Sequence, residues 1–413
     1  MSDHLRTLAK GLLGVAIATL VLTGALLVGI VTGSALSGIE VTPTASAPSP
    51  IPSRPQDVSA ADYEAFEIFW EVWTLVEANF YGTFPSTDDI DYAATHGMLG
   101  TLGDDYTSLI EPELAAILAE DASGSYEGIG AFVTLDQNGL VEITGLFESG
   151  PSEIAGLLPG DKVLEVDSVS VVGLTLYQAI ANIRGPAGSE VTLLVSRAGV
   201  AEHFGVTVTR ARLEIPIVEE EVLEDSIGYV RLADFSATAT ASVEEALDKL
   251  LAGGVQGIVF DLRNNPGGWL DQAVDVSDLF LSSGVIVTEK WSDGRELSDY
   301  AQPGDVGEEV MLVVLVNGHT ASAAEIVAGA LQDYQRAILI GQTTYGKGSV
   351  QRTFTLEDGS ELRVTSARWF TPDGDAIGGA GLTPDIHVSA VDRADPEADP
   401  QLDRAVEYLL TGE

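Results

Sequence analysis

No Asp, Glu, Lys or Arg occurs between Lys10 and Glu40, and residues 11–31 form an apolar run long enough to cross a bilayer as a helix. From Asp62 the pattern becomes periodic. Phe66, Phe69, Trp70, Trp73, Val76 and Phe80 recur at helical spacing and predict a helix whose aromatic stripe faces the core. A second helix is predicted over 92–102. Glu111-Pro112-Glu113 puts proline and acids where a first helical turn favours them, so a third should follow to about Glu120. The period then shortens to two. Residues 129–135, 140–147, 161–166 and 191–196 read as short strands, with Asn138-Gly139 as a hairpin turn and a helix over 175–183 interrupting them. From Ile227 the order is strand, helix, strand (227–232, 242–251, 257–262), followed by the wholly apolar 311–316. Such runs belong to a parallel sheet buried on both faces of an α/β core. Strands over 350–356 and 362–369 and a helix over 402–410 complete the pattern.

Length and charge narrow the function. A chain of 413 residues exceeds one compact core and predicts two to four domains. With 63 acidic against 20 basic residues the net charge is -43, which repels phosphate backbones and anionic lipid surfaces and argues against nucleic acid as a partner. There is no cysteine, so disulfides, thiolate nucleophiles and cysteine-ligated zinc are excluded. The five histidines are scattered without metal-ligand spacing, and no metal site is expected. Arg6 and Lys10 precede the apolar run and the next basic residue is Arg54, so the expected topology is a single-pass anchor with a cytoplasmic N-terminus and everything beyond it extracytoplasmic. The rival is a signal peptide cleaved near Gly33-Ser34-Ala35, giving a secreted protein. Residues 41–61, rich in Pro, Ser, Thr and Ala, read as a tether.

Chemistry concentrates in two segments. Asn317-Gly318-His319-Thr320-Ala321-Ser322-Ala323-Ala324-Glu325 leaves a buried strand and opens a helix running to about Tyr334. In that turn, backbone N–H groups and the helix dipole favour negative charge beside Ser322, as an acyl-transfer oxyanion requires. The Ser322-x-x-Glu325 spacing is equally a capping box that merely starts a helix. Tyr345-Gly346-Lys347-Gly348-Ser349-Val350-Gln351 follows the apolar stretch 337–341, whose strand should lie beside 311–316 and bring Lys347 to the edge that carries Ser322. Lysine can deprotonate serine only when neutral, which means lowering its pKa from about 10.4 to roughly 7 or 8. Burial between close-packed glycines would do that, and Gln351 could orient the amine without adding charge. The plainer alternative is a loop lysine paired with an acid.

Residues 341–348 also match a phosphate-binding loop up to its last position, but Gly348 stands where Ser or Thr would hold magnesium, and a strand pattern follows instead of a helix. The turn Pro266-Gly267-Gly268 ends another buried strand and could offer N–H groups to an oxyanion, or be a tight turn only. Asp261 and Arg263 beside it read as a structural ion pair. Gly128-Ile129-Gly130 lies just before a strand, where successive N–H groups can bind the terminal carboxylate of a peptide that adds alongside. His319 invites a Ser-His reading, yet no acid is placed to orient its ring.

Taken together, these residues resemble the carboxyl-terminal processing peptidases, or tail-specific proteases, from about Asp62 onward. The resemblance implies a crotonase-like α/β protease core with an inserted PDZ domain and an N-terminal helical region, and the apolar run places one N-terminal transmembrane helix before them. The corresponding spans are an anchor over 1–40, the linker over 41–61, helices over 62–122, PDZ over 123–212, peptidase core over 213–390 and a last helix within 391–413. By the same likeness Ser322 is the nucleophile, Lys347 the general base and Gln351 its orienting partner. Gly267, Gly268 and the Ala323 N–H form the oxyanion hole, and Gly128, Ile129 and Gly130 the carboxylate-binding loop. One departure is Thr320, where the family often has serine. The implied partners are proteins or peptides with apolar, weakly structured C-termini, the implied mechanism needs no cofactor, and a homo-oligomer stays open. A catalytically silent PDZ scaffold and a chaperone-like tether are the alternatives.

Overall fold

The computed structural model describes residues 66–389 and 398–413. The apolar run 11–31 and the tether lie outside them, and among the described residues no helix is long and apolar enough to cross a membrane. The described chain opens with helices α1 (Glu67–Asn79) and α2 (Thr87–Gly100), strand β1 (Ser108–Ile110) and helix α3 (Pro112–Ala122). Helix α2 begins five residues before the hydrophobic period does, because the Ser86 hydroxyl accepts from the Asp89 N–H and the Asp89 carboxylate accepts from the Ser86 N–H. Helix α1 corrects an expectation. It has no buried residue, and Phe66, Phe69, Trp70, Val76 and Phe80 are exposed, although a core-facing stripe was expected. Helical periodicity shows that a face is apolar, and nothing among the described residues covers this one.

The alternating region contains β2 (Ser125–Gly128), β3 (Ala131–Leu135), β4 (Val141–Leu146), α4 (Pro151–Ile154), β5 (Lys162–Val166), β6 (Val169–Ser170), α5 (Leu176–Ile183), β7 (Glu190–Ser196), β8 (Phe204–Thr209) and β9 (Ala211–Glu214). Strands β3, β4, β5, β7 and β8 form an antiparallel sheet in that order, β6 hangs on β5, and β2 pairs with β9 in a separate ribbon. The strand expected over 129–135 starts only at Ala131, since Gly130, at φ 72, turns the chain between ribbon and sheet. A small core of its own, including Ile129, Ile143, Val163, Ala179 and Leu193, fills this unit.

The remainder comprises β10 (Val218–Val222), β11 (Ile227–Leu232), α6 (Ala239–Ala252), β12 (Gly257–Asp261), α7 (Leu270–Asp278), β13 (Gly284–Trp291), β14 (Glu296–Ala301), β15 (Met311–Val316), α8 (Ala323–Asp333), β16 (Ile338–Gly341), β17 (Ser349–Thr355), β18 (Glu361–Phe370), β19 (Ile386–His387) and α9 (Pro400–Thr411). A six-stranded sheet runs β10-β11-β12-β15-β16-β19, parallel throughout except for the antiparallel edge strand β10. Its apolar strands serve two layers. Val230, Ile258, Phe260, Val314 and Leu339 face the main core with residues of α6, α7 and α8, whereas Ile227, Val259, Val313, Leu315 and Ile340 pack on Ala405 and Leu409 of α9. A second sheet, β1-β18-β13-β14 with β17 on β18, joins the main core through Val350, Ala367 and Trp369.

The ion pair read from sequence has a docking role. The Arg263 guanidinium spans Asp261 at the end of β12 (2.6 Å) and Asp399 before α9 (2.8 Å), while the Tyr229 hydroxyl also donates to Asp261 (2.8 Å). Asp261 is buried, so Arg263→Ala would strand its charge. Truncating one member of a buried pair costs roughly 3–5 kcal/mol. Denaturant unfolding should show a loss of about 3 kcal/mol, with α9 the first element to lose hydrogen-exchange protection.

Candidate active site

Strands β12, β15 and β16 are consecutive parallel neighbours, so the loops that follow them leave from one edge of the sheet. Thr320, fully buried, binds all three. Its hydroxyl donates to the Leu262 carbonyl (2.8 Å) and accepts from the Asn317 N–H (2.9 Å), and its own carbonyl accepts from the Tyr345 N–H (2.9 Å). Asn265 adds a second set of ties: its carbonyl accepts from the Ala321 N–H and its side chain donates to the Leu232 carbonyl (2.9 Å each).

Ser322 follows at the start of α8 with φ 56 and ψ -119, a conformation that costs a non-glycine residue strain and is kept only when its surroundings enforce it. The residue is 1% exposed, and its Oγ is buried without a hydrogen-bond partner. This discriminates between the two readings of Ser322-x-x-Glu325. The Glu325 carboxylate does accept from the Ser322 N–H (2.9 Å), but the Glu325 N–H goes to the Ser322 carbonyl (2.8 Å), so the serine hydroxyl is not spent on the helix.

Glu325 does more than cap. Its Oε2 accepts from the N–H groups of both Ser322 and Lys347, at 2.9 Å each, and its Oε1 accepts from the Gly346 N–H (2.7 Å) and the Thr344 hydroxyl (2.5 Å). One buried carboxylate therefore clamps the backbones of the serine and lysine loops together. Burial pushes its pKa above the ordinary range, against these four bonds, which favour the charged form.

Lys347 is 4% exposed. The flanking glycines allow this: a Cβ on Gly346 would lie 2.8 Å from the Gly381 N, and one on Gly348 would lie 2.6 Å from the Gly378 N, so the backbone of 378–381 closes directly over the lysine loop. The Trp369 indole N–H donates to the Lys347 carbonyl (3.0 Å), and Nζ lies 5.1 Å from the centre of the Tyr106 ring. Burial, then the positive charge of Arg363, pushes the amine down to about 8, with Glu325 partly opposing. Gln351 on β17 is also buried. Its Nε2 donates to Ser349 (2.8 Å) and Thr365 (3.2 Å), whereas its Oε1 has no hydrogen-bond partner.

The glycine turn adjoins the serine. A Cβ on Gly267 would stand 2.7 Å from the Ser322 Cβ and 2.9 Å from the Ala323 N. The Gly267 N–H donates to the Asn265 side chain (2.9 Å), so it is not a donor to an oxyanion as expected; its contribution is clearance. The N–H groups of Gly268 and Ala323 make no hydrogen bond among the described residues and fit that role. Phe235 fixes the turn from behind, donating to the Gly267 carbonyl (2.9 Å) and accepting from the Trp269 N–H (2.8 Å).

The other sequence candidates sort clearly. His319 is exposed, with its N–H on Asn317, and stands apart from the buried serine. Lys347 leads into strand β17 and not into a helix, which removes the basis of a phosphate-binding loop. Among the described residues no group of three or more His, Cys, Asp or Glu side chains could hold a metal ion. Gly128 ends β2, and Ile129 and Gly130 link it to β3, with the Ile129 carbonyl accepting from the Ser152 N–H and the Gly130 carbonyl from the Phe147 N–H. Of the three, Ile129 lines a 190 Å³ cavity between β3 and α5 whose lining also includes Gly268 and Trp269. Glu325 was visible in the sequence only as a helix cap. Asn265, Thr344 and Tyr106 carried no local signal, because their partners lie on other segments.

Comparison with known proteins agrees with this architecture. The description "Peptidase family S41" matches residues 226–388, and "PDZ domain" matches 142–197. A carboxy-terminal-processing protease of Bartonella bacilliformis is 37% identical over 79% of this chain and 75% of its own length. A carboxyl-terminal-processing protease of Synechocystis sp. is 38% identical over 82% of this chain and 81% of its own. Among solved structures, the photosystem II D1 C-terminal processing protease aligns with 84% of this chain and 97% of its own at 30% identity and a TM-score of 0.49. With that identity extending across three quarters or more of the relatives' length, the chain belongs to peptidase family S41 and carries a PDZ domain.

Proposed function

We propose that the protein is a serine endopeptidase that cleaves near the C-terminus of protein substrates through Ser322 and Lys347. The observation that carries this reading is the Glu325 carboxylate, which holds the backbones of a hydroxyl without a hydrogen-bond partner and a buried amine at one place. Ser322 Oγ attacks the peptide carbonyl and its proton passes to neutral Lys347. The N–H groups of Gly268 and Ala323 receive the oxyanion, and collapse of the tetrahedral intermediate expels the amine and leaves an acyl-enzyme. Water, deprotonated by the same lysine, then releases the acid. Gln351 Oε1 is suited to accept from the lysine amine and aim it. The 123–212 module captures the substrate tail as an added strand in the groove between β3 and α5, with apolar side chains in the cavity that Ile129, Phe132 and Ile180 line. In this reading residues 11–31 anchor the enzyme and the catalytic part works outside the cytoplasmic membrane.

Residues 41–413 should cut an unstructured protein with an apolar C-terminus in the absence of nucleotide and metal, and Ser322→Ala and Lys347→Ala should each abolish cleavage while remaining folded by circular dichroism. Retained cleavage in either variant would refute the assigned pair.

The depressed lysine sets the pH response. A base must be neutral, so kcat/KM should rise with pH through about 8, the value burial gives Lys347. The same shift has a cost in stability. Between about 8 and the ordinary value near 10.4 the unfolded chain holds a proton that the folded chain lacks, so stability rises across that window and the penalty is complete below it. Lys347→Met should therefore be inactive yet more stable than the parent at pH 7, by up to about 3 kcal/mol in denaturant unfolding. That gain should vanish near pH 11.

Glu325→Gln keeps the volume but replaces one of two acceptor oxygens with a donor, so part of the clamp opens. Displacements of about 1 Å at a reacting centre can cost on the order of 100-fold in rate. Single-turnover assays should show a fall in kcat of that order, with tail-peptide affinity unchanged.

A further inference from the structure

The lysine amine is met by a side chain from a distant part of the chain. Tyr106, half-buried in the turn between α2 and β1, sets the centre of its ring 5.1 Å from Lys347 Nζ, within the reach of a cation–π attraction. Its place is fixed on two sides. Strand β1 pairs with β18, Ser108 opposite Arg363, and the Tyr92 hydroxyl of α2 donates to Asp358 in the β17–β18 turn (2.6 Å). The Thr107 hydroxyl donates to the Asp104 carboxylate and accepts from the Thr365 N–H (3.1 Å), and the Thr365 hydroxyl accepts from Gln351 Nε2 (3.2 Å). Thr365 therefore ties down both Gln351 and the residue next to Tyr106. Arg363 of β18, itself bonded to Glu361 (2.6 Å), and Glu325 of α8 act on the amine, while Tyr345, Asp105 and Glu325 act on the phenol. Burial, then Tyr345, pushes the phenol above its ordinary range, so the ring is neutral wherever the lysine titrates.

We propose that Tyr106 is a positioning residue for the base: its ring shuts water from the lysine amine and offers a π face to the ammonium that forms when the amine takes the serine proton. The inference rests on the peptidase reading and deepens it. The two contributions act on the amine with opposite signs. Water against Nζ would solvate the cation and return the amine toward its ordinary value of about 10.4, where it is no base at neutral pH. A saturated side chain of similar size would exclude that water but offer the cation no attraction. The ring excludes water and also attracts the cation, while acting little on the neutral amine. That attraction grows as the proton crosses from Ser322 Oγ to Nζ and Oγ bonds to the carbonyl carbon, so it is stronger in the transition state than before it. The ring itself forms and breaks no bond.

The test compares Tyr106→Phe, Tyr106→Leu and Tyr106→Ala in the full chain, held in a neutral detergent, by the pH dependence of kcat/KM on an unstructured protein with an apolar C-terminus. The parent's rising limb lies at about 8. Tyr106→Phe keeps the π face and should keep the limb in place. Tyr106→Leu excludes water without attracting the cation, so the limb should fall by about one pH unit and kcat on the plateau by roughly tenfold. Tyr106→Ala admits water, and its limb should rise toward about 10.4. A second readout needs no cleavage. On the Ser322→Ala background, trace acetylation by acetic anhydride, followed by mass spectrometry of the peptide that carries Lys347, should give the amine's titration in the same order, Leu below parent and Phe, Ala above. Should the Ala variant fail to fold by circular dichroism, the Leu and Phe variants decide. A limb that stays with the parent in Tyr106→Leu, or that moves as far in Tyr106→Phe as in Tyr106→Leu, overturns the proposal, as does a loss of rate in all three with no shift in pH. Absence of cleavage by the parent overturns the peptidase reading instead, and the acetylation order alone then decides whether the ring governs the amine.

Discussion

A single carboxylate organises the chemistry of this molecule. Glu325 has two oxygens and four donors, and those donors come from the turn before α8 and from the loop after β16. Remove that acceptor and the two loops, which share a sheet edge but no covalent path shorter than α8 and β16, would lose these bonds and keep such ties as the Tyr345 N–H to the Thr320 carbonyl. The cost is a buried negative charge, and charge-assisted hydrogen bonds are what make such burial tolerable.

The same arrangement sets a buried carboxylate close to Lys347 while the lysine's pKa is lowered, in a chain with 63 acidic residues. The carboxylate near Lys347 points its acceptor capacity at backbone N–H groups, including that of the lysine itself. Its charge raises the amine's pKa, but burial and Arg363 outweigh it, and the net shift is downward. A lysine held as a cation cannot take a proton from serine, so on the proposed mechanism it is the downward shift that matters.

Much of this was legible in local sequence. An apolar strand followed by a turn and good helix formers marked Ser322, flanking glycines marked Lys347, and the parallel order of β15 and β16 was implied by two neighbouring apolar runs. The glycines deserved the weight placed on them, although the backbone they admit, 378–381, could not be named in advance. What local pattern could not supply was partnership. Glu325 looked like a cap because the helix N-terminus was the only partner within a few residues, and Gly267 looked like a donor because its bond to Asn265 depends on the turn's actual shape. The aromatic stripe of α1 failed for a related reason: period 3.6 identifies an apolar face and is silent on what covers it.

The glycine turn beside Ser322 also has a physical logic. It is built from glycines, which fit where any Cβ would collide with Ser322 or Phe235, but glycine contributes no side chain to hold its own conformation. The turn must be fixed from outside, by Asn265 on one flank and Phe235 on the other. Phe235 is among the residues that line the cavity together with Ile129, Phe132 and Ile180, so one of the two supports of the turn borders that cavity. A turn supported in this way depends on its neighbours in a manner that a side-chain donor on a rigid helix would not.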